Sequence, residues 1–209
     1  MNRLSIVIPT LWKSKRIHKL LDDLIKCSDV DEIILIDNSN EYYKHYDKIL
    51  HKVNLIQPGQ NIFVNPAWNL GVKLSKNYSV ALLNDDINFN TSILKFLNPY
   101  RLDRYGIIGM DTSNYTTDNE APIICKEDKR NIQRFGWGCF IAFDKKNWVD
   151  IPDNIKIWCG DDFLRIVCKC PISYLTNFKI ETDMSTTSDD TIWNSRKSED
   201  IKNFRSLFQ

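Results

Sequence analysis

Short apolar runs alternate with amphipathic segments along the first half of the chain. The runs cover residues 4–8, 33–36, 53–56 and 79–83 and are bounded by polar residues, as is typical of buried strands. Between them, residues 13–26 carry apolar side chains at helical spacing. Asn65 followed by Pro66 predicts the N-cap and first position of a second helix, which runs to residue 75 or 76. This alternation predicts an α/β fold built on a mostly parallel sheet flanked by helices.

The second half of the chain has a less regular pattern. It predicts three further helices: one from Asn90 or Thr91 to residue 96 or 97, one over 160–169, and one over 196–208 that docks back. It predicts three further strands, over 105–110, 136–143 and 173–181. Polar loops are predicted over 111–134 and 184–190. We expect a single domain with a first half at 1–110, a second half at 111–190 and a helical tail at 191–209.

Polar side chains follow three of the predicted strands. Thr10 ends the first strand, Asp37 the second, and the pair Asp85–Asp86 follows the fourth. The carboxyl ends of parallel strands meet at one edge of a sheet, and ligands of open α/β sheets bind outside that edge. We therefore expect these side chains to lie together in a binding site.

Asp85 and Asp86 indicate a particular chemistry for that site. Adjacent carboxylates at the end of a buried strand repel each other and cost free energy to desolvate. Mg²⁺ and Mn²⁺ take oxygen ligands, commonly one or two carboxylates together with substrate phosphates. The pair therefore indicates a divalent-cation site, with a solvated acidic turn as the alternative.

The charge balance argues against nucleic acid as the partner. Lys and Arg number 28 and Asp and Glu 27, which gives a formal net charge of +1, and the basic cluster at 126–134 is short.

The first apolar run is too short for a signal peptide, and no stretch reaches the roughly 20 apolar residues of a membrane span. Six cysteines without paired spacing indicate reduced thiols. We expect a soluble cytoplasmic protein, with peripheral membrane association left open, and the Asn-, Lys- and Ile-rich composition is typical of AT-rich microbial or viral genomes.

Three common nucleotide and hydrolase motifs are absent from the sequence. The first strand is followed by Pro9-Thr10-Leu11-Trp12 rather than by G-x-G-x-x-G, and neither a P-loop nor a G-x-S-x-G elbow occurs. With only seven glycines, a phosphate cradle of backbone amides has few places to form. A metal ion is therefore the favoured phosphate partner.

Six short motifs, in this order, resemble those of the family 2 glycosyltransferases with the GT-A fold, and together they span residues 4 to about 190. They are Ser5–Thr10, Ile34–Ser39, Asn65–Gly71, Asn84–Asp86, Gly136–Phe140 and Trp158–Leu164. They resemble, in turn, the opening strand, the second strand, an Asn-rich helix start, the metal motif in its N-D-D form, a Gly-rich strand beside the acceptor and the motif that carries the base. The resemblance implies a GT-A sheet with a smaller acceptor-side β region.

The resemblance also implies roles for matching residues. The implied positions are Thr10, Asp37, Asn65, Asn69, Asn84 and Asp85 for the donor nucleotide; Asp86 and Asp85 for Mn²⁺ or Mg²⁺; Trp137, Gly138 and Trp158 for the sugar or acceptor; and Asp162, with Asp161 as second choice, for the general base. The implied donor is a nucleotide-diphosphate sugar, with a UDP-sugar favoured. The implied acceptor is a glycan or glycoconjugate.

One feature departs from this family pattern. Many relatives supply a late His as a further metal ligand, whereas His18, His45 and His51 all lie early in this chain. Asp183 or Glu181 offers an oxygen ligand in the corresponding region, and a hard cation accepts either.

The implied reaction moves a sugar to an acceptor hydroxyl. The metal compensates the charge of the leaving diphosphate, and a carboxylate takes the proton of the hydroxyl. One base and in-line displacement imply inversion at the anomeric carbon. Asp161 and Asp162 are adjacent at a helix start, where side chains diverge, so we expect Asp162 to act as base and Asp161 to cap the helix.

Alternatives remain open for single residues and for the function. Asp37 also fits an Asx-turn, Gly160–Asp162 a plain helix cap, and Trp137 and Trp158 core aromatics. The alternative functions are a nucleotidyltransferase-like enzyme, a non-catalytic sugar-nucleotide or glycan-binding module, and a glycosyltransferase acting on a modified nucleic-acid base. The missing Gly-rich basic loop disfavours the first, and the intact acidic pairs disfavour the second.

Overall fold

The computed structural model describes residues 3–116, 121–127, 136–183 and 193–209, and within them a mixed sheet of eight strands forms the centre of the molecule. The strands of this sheet are β1 (Leu4–Thr10), β2 (Val30–Asp37), β3 (Val53–Ile56), β4 (Ser79–Leu83), β6 (Ile107–Met110), β7 (Ile123–Lys126), β8 (Phe140–Asp144) and β9 (Ile172–Thr176). A separate antiparallel ribbon pairs β5 (Ile87–Phe89) with β10 (Ile180–Thr182).

Helices connect and cover the strands. They are α1 (Arg16–Lys26), α2 (Tyr42–His45), α3 (Val64–Leu74), α4 (Ser92–Phe96), α5 (Pro99–Tyr105), α6 (Gly160–Val167) and α7 (Trp193–Ser206), with 3-10 turns at Thr112–Tyr115, Trp137–Cys139 and Lys145–Asn147. Among the described residues, none of these helices has the length and apolar character needed to cross a membrane.

The sheet has the order β3-β2-β1-β4-β8-β6-β9-β7. The first four strands are parallel, β8 runs antiparallel to both of its neighbours, and β7 runs antiparallel to β9. The predicted α/β fold with a mostly parallel sheet is therefore confirmed. Strands from both predicted halves share this one sheet, because β8 lies between β4 and β6.

Alternating side chains of the strands build a core on each face of the sheet. On β1, Ile6 and Ile8 face a cluster that includes Ile17 of α1, whereas Val7 faces a cluster that includes Trp68 of α3. Burial on both faces explains the nearly continuous apolar runs of the central strands.

Several predicted boundaries were wrong. Asn65 is not the N-cap of α3: the helix begins at Val64, after Phe63. The predicted strand over 136–143 begins with a 3-10 turn, and the predicted strand over 173–181 is broken into β9 and β10 by Asn177, whose φ is 61°. The short elements β5, α5 and β7 were not predicted. Residues 128–134 and 184–190, which fall in predicted loops, lie outside the described residues.

The tail helix α7 carries a buried carboxylate that bonds to the loop before α6. Asp200 is fully buried, and its carboxylate accepts hydrogen bonds from the backbone N–H groups of Lys156, Ile157 and Trp158 at 3.0, 2.8 and 3.1 Å. These residues immediately precede α6. The tail helix therefore fixes the loop that leads into the acidic pair Asp161–Asp162.

Candidate active site

The ends of β1 and β4 bring Thr10 and Asp85 into contact. The strands are parallel neighbours, and the Thr10 hydroxyl donates to Oδ2 of Asp85 at 2.6 Å. The same Thr10 oxygen accepts the backbone N–H of Trp12 at 2.9 Å, which orients the hydroxyl. The two residues therefore meet at the carboxyl edge as expected, and Thr10 fixes the orientation of Asp85.

Both carboxyl groups of the strand-end pair have raised pKa values. Burial raises the pKa of Asp85 to about 6 against the hydrogen bond from Thr10, and the neighbouring charge of Asp86 adds to the increase. Burial also raises the pKa of Asp86, which is 9% exposed, and the charge of Asp183 contributes. Both carboxyl groups are therefore in positions where a nearby cation would stabilise the ionised form.

The residues present fit a divalent cation that is completed by other ligands. Oδ1 of Asp86 is buried without a hydrogen-bond partner among the described residues. Yet within those residues no three His, Cys, Asp or Glu side chains form a group that could hold a metal ion. Asp86 and Asp85 therefore suit a cation that takes its remaining ligands from water and a phosphate-bearing substrate.

Asp183 lies near this pair but is already bonded. Its Oδ1 accepts from Nε of Arg16 at 2.6 Å and its Oδ2 from the Ser14 hydroxyl at 2.9 Å, and these bonds lower its pKa. Glu181 also contacts Arg16, at 3.3 Å. A metal role for Asp183 or Glu181 stays a prediction, and for Asp183 it would require release from Arg16.

Asp37 is the centre of a dense hydrogen-bond network. The buried carboxylate accepts from Trp12 Nε1 at 2.9 Å, the Tyr42 backbone N–H at 2.7 Å and Gln57 Nε2 at 2.9 Å. Ser39 adds bonds from its backbone N–H and hydroxyl, so the Asx-turn interpretation also holds. Burial opposes ionisation, but these donors together keep the pKa of Asp37 below its usual range. Asp37 thus ties the ends of β1, β2 and β3 together, and its contact with a nucleobase stays a prediction.

Asn65 and Asn69 connect α3 to the segment before α6. Asn65 donates to the carbonyl of Ile155 at 3.1 Å. Asn69 donates to the carbonyl of Ile151 at 2.8 Å and accepts from its N–H at 3.0 Å. Both amides therefore support the loop beside the site, and direct contact with a nucleotide stays a prediction.

The second acidic pair lies at the start of α6, and its two members have different surroundings. Burial raises the pKa of Asp161, and the backbone N–H groups of Asp162, Asp161 and Gly138 oppose this increase. A Cβ atom at Gly138 would lie 2.9 Å from Oδ2 of Asp161, so the glycine makes room for that carboxylate. Asp162 has 35% of its side chain exposed. Both residues lie in the first turn of α6, whose N-cap position is Cys159, so the roles of helix cap for Asp161 and general base for Asp162 stay predictions.

A basic side chain supports Asp162 from the next turn of α6. Burial and the charge of Asp161 raise the pKa of Asp162 to about 6, and Arg165 opposes them. Arg165 lies 3.8 Å from Asp162 and forms a buried ion pair with Glu127 at 2.8 Å. The sequence did not indicate this pair, because its members are 38 residues apart.

The aromatic residues expected on the acceptor side lie in different environments. Trp137 is fully buried, donates from Nε1 to the carbonyl of Ser173 at 3.1 Å and packs against Gly109, where a Cβ would lie 2.2 Å from the ring. This corrects the expectation that Trp137 contacts the sugar: it is a core aromatic residue. Trp158 is half-buried and remains available for that role.

The two acidic pairs meet at the 3-10 turn before β8. The backbone N–H of Asn84 donates to the carbonyl of Cys139 at 3.0 Å. Burial raises the pKa of the Cys139 thiol to about 12, and charges from both pairs, Asp86 and Asp161, contribute. Cys139 therefore lies between the acidic end of β4 and the acidic start of α6.

A parallel sheet edge with one acidic pair after β4 and another at α6 defines the class: the fold is that of the GT-A glycosyltransferases. The sequence profile described as glycosyl transferase family 2 matches residues 5–143, more than half of the 209 residues. The chain belongs to glycosyl transferase family 2.

Solved structures of S. aureus TarS share this fold. TarS 1–349 in complex with UDP-GlcNAc matches with a TM-score of 0.65 and 14% identity, over 90% of this chain and 62% of that one. TarS 1–349 in complex with UDP matches with a TM-score of 0.59 and 15% identity, over 84% of this chain and 59% of that one. This chain thus spans about three fifths of the TarS 1–349 chain. No curated protein sequence gives a match.

Proposed function

We propose that the protein is an inverting glycosyltransferase that moves a sugar from a nucleotide diphosphate to an acceptor hydroxyl. The observation that carries this proposal is the pair of acidic sites on one edge of a family 2 fold, with Cys139 between them. One site suits a cation and a diphosphate, and the other offers a half-exposed carboxylate. The TarS complexes contain UDP-GlcNAc and UDP, which supports a UDP-sugar as the donor.

Each acidic pair would have a separate role in this reaction. Asp85, oriented by Thr10, and Asp86 would hold Mn²⁺ or Mg²⁺, which supplies Lewis-acid stabilisation of the leaving diphosphate when bound. Asp162, ionised above about pH 6, would accept the proton of the acceptor hydroxyl as that oxygen attacks the anomeric carbon. Asp161 and Gly138 keep the start of α6 in place.

Donor binding and turnover test this proposal together. We would measure thermal shift and diphosphate release with a panel of sugar nucleotides, in Mn²⁺, Mg²⁺ or EDTA, for wild type, Asp86→Ala and Asp162→Asn. We expect one nucleotide class to stabilise the wild type only with metal, Asp86→Ala to lose this response, and Asp162→Asn to keep it but release diphosphate far more slowly. Asp22→Ala, on the exposed face of α1, is the matched control. No response to any sugar nucleotide under any metal condition would overturn the proposal.

A further inference from the structure

Phe63 has a backbone conformation that is unusual for a side chain of its size. Its φ is 68° and its ψ is 178°, in a region that is essentially restricted to glycine. Such a conformation costs on the order of 1–3 kcal/mol and persists only where surrounding contacts hold it. The residue lies just before α3, two positions from Asn65, which packs against Gly160 at the start of α6. The strain is therefore located two residues before the contact of α3 with the start of α6.

The contacts that surround the Phe63 ring are aromatic and basic. The ring of Trp193 on α7 meets it edge-on, with centroids 6.1 Å apart. The Arg196 guanidinium lies 5.3 Å and the Lys156 ammonium 6.0 Å from the Phe63 centroid, and the Lys13 ammonium lies 6.0 Å from the Trp193 ring. We call these five residues the basic aromatic cluster. They come from four separate segments of the chain, so the fold assembles the cluster.

The charge of this cluster is only partly compensated. Arg196 pairs with Glu199 on its own helix at 2.8 Å. In the part of the chain that the structure describes, no carboxylate pairs with Lys13 or Lys156. With the buried carboxylate of Asp200, which accepts the backbone N–H of Lys156, two carboxylates stand against three cations, so the cluster keeps a net charge of one positive unit.

We propose that the basic aromatic cluster is a subsite for a phosphate group of a substrate. Cations held on aromatic faces are oriented and partly desolvated, which strengthens their attraction for a phosphate oxyanion. Two sources share this chemistry: the diphosphate of the donor and a phosphate carried by the acceptor. The acceptor is favoured, because the carbonyl of Lys156 accepts from the backbone N–H of Asn65, which packs against Gly160 at the start of α6, whereas the donor diphosphate has the Asp85–Asp86 edge. The inference rests on the proposed function for the identity of the substrate, but not for anion binding itself.

Binding of inorganic pyrophosphate to the full chain tests the subsite without turnover. The probe is the indole N–H signal of Trp193 in a ¹H–¹⁵N spectrum, assigned through Trp193→Phe, in EDTA and at low salt. We expect pyrophosphate to shift this signal and the double variant Lys156→Gln/Arg196→Gln to weaken binding on the order of tenfold or more. The matched control, Lys197→Gln/Lys202→Gln, removes two exposed cations from α7 and should bind as wild type does.

The two possible sources are separated by repeating the titration with saturating UDP and Mg²⁺. If UDP leaves the pyrophosphate response intact, the subsite serves the acceptor; if UDP abolishes it and the double variant also weakens UDP binding, the phosphate is that of the donor. An unshifted Trp193 signal, or equal weakening in the control variant, would overturn the subsite. The absence of both thermal stabilisation and diphosphate release with every sugar nucleotide would overturn the proposed function while leaving the anion-binding result intact.

Discussion

The Thr10 hydroxyl favours the ionised form of Asp85 against the effect of burial. Thr10 donates to Asp85 at 2.6 Å and is the main group that opposes the effect of burial on its pKa of about 6. Thr10→Val removes this donor and should raise that pKa, because the ionised form loses a charge-assisted hydrogen bond. We expect metal-dependent donor affinity at pH 6.5 to fall on the order of tenfold, measured by calorimetry, with recovery toward pH 8. Thr10→Ser keeps the hydroxyl and should behave as wild type; equal losses at pH 6.5 and pH 8 would contradict this electrostatic account.

Asp162 makes a prediction about the pH dependence of transfer. Its pKa of about 6 means that the carboxyl is protonated below that value and ionised above it. A general base must be ionised, so kcat/KM should rise through about pH 6 and level off at higher pH. Asp162→Asn should lower kcat on the order of 10²–10⁴-fold, with donor affinity unchanged. The rise of kcat/KM near pH 6 that is due to ionisation of Asp162 should also disappear in this variant. A variant that loses donor affinity as strongly as kcat would place Asp162 in donor binding instead.

At the scale of elements, the tail helix acts on the site through Asp200. Asp200→Ala leaves three backbone N–H groups of the loop at 156–158 without their acceptor. We expect the free energy of unfolding to fall by about 2–4 kcal/mol, since buried donors that lose a charged acceptor are costly. Hydrogen exchange should become faster at these amides before the central strands are affected. Asp153→Ala, in the exposed part of the same loop, is the control; unchanged exchange in Asp200→Ala would show that α7 does not hold the loop.

The elements that periodicity predicted well are those with a strong apolar signal of their own. β1, β2, β4 and α1 lie close to their expected positions because burial dictates their side chains. The short β5 and β7 were missed because their pairing partners lie far away in the sequence. α5 was missed although Asn98 caps it and Pro99 occupies its first turn, so its start signal was present.

Only the part of the site that lies at the ends of predicted strands could be predicted from the sequence. The meeting of Thr10 with Asp85 follows from parallel pairing, which the pattern already indicated. The positions of Arg165, Asp200 and Phe63 depend on loop paths and helix docking, for which a single sequence carries no periodic signal. Trp137 shows the converse: the family resemblance implied a sugar contact, but Gly109 on β6 makes room for a buried ring, whereas its flanking glycines lie against Tyr115 and Asp161.

At the scale of the whole molecule, the raised carboxyl pKa values couple folding to pH and to metal. A carboxyl whose pKa rises from its ordinary value near 4 to about 6 binds more protons in the folded state between those values. The free energy of unfolding of the metal-free protein should therefore fall as pH rises from about 4 to 6. Asp85→Asn removes a partly buried charge, so we expect this variant to melt several degrees higher than wild type in EDTA at pH 7.5.

The same variant should lose the stabilisation that Mn²⁺ and a nucleoside diphosphate give to wild type, because a cation site needs the carboxylate. Thermal melts of both proteins, with and without metal and UDP, measure the two effects in one series. A lower melting temperature for Asp85→Asn in EDTA would show that Thr10 and the backbone more than compensate the burial of this charge.

The position of β8 between β4 and β6 has a consequence for how the chain reaches its fold. β6 precedes β8 in the sequence, yet β8 lies between β4 and β6 in the sheet and must be inserted between them. Until then, β4 and β6 both present open edges, and their direct association would close the gap into which β8 fits. Joining strands that are distant in sequence is slow, because the entropy of loop closure is lost before the pairing is gained. We infer that insertion of β8 is one of the slow pairings of this sheet, and that it also assembles the active edge, since the turn before β8 contacts both acidic segments.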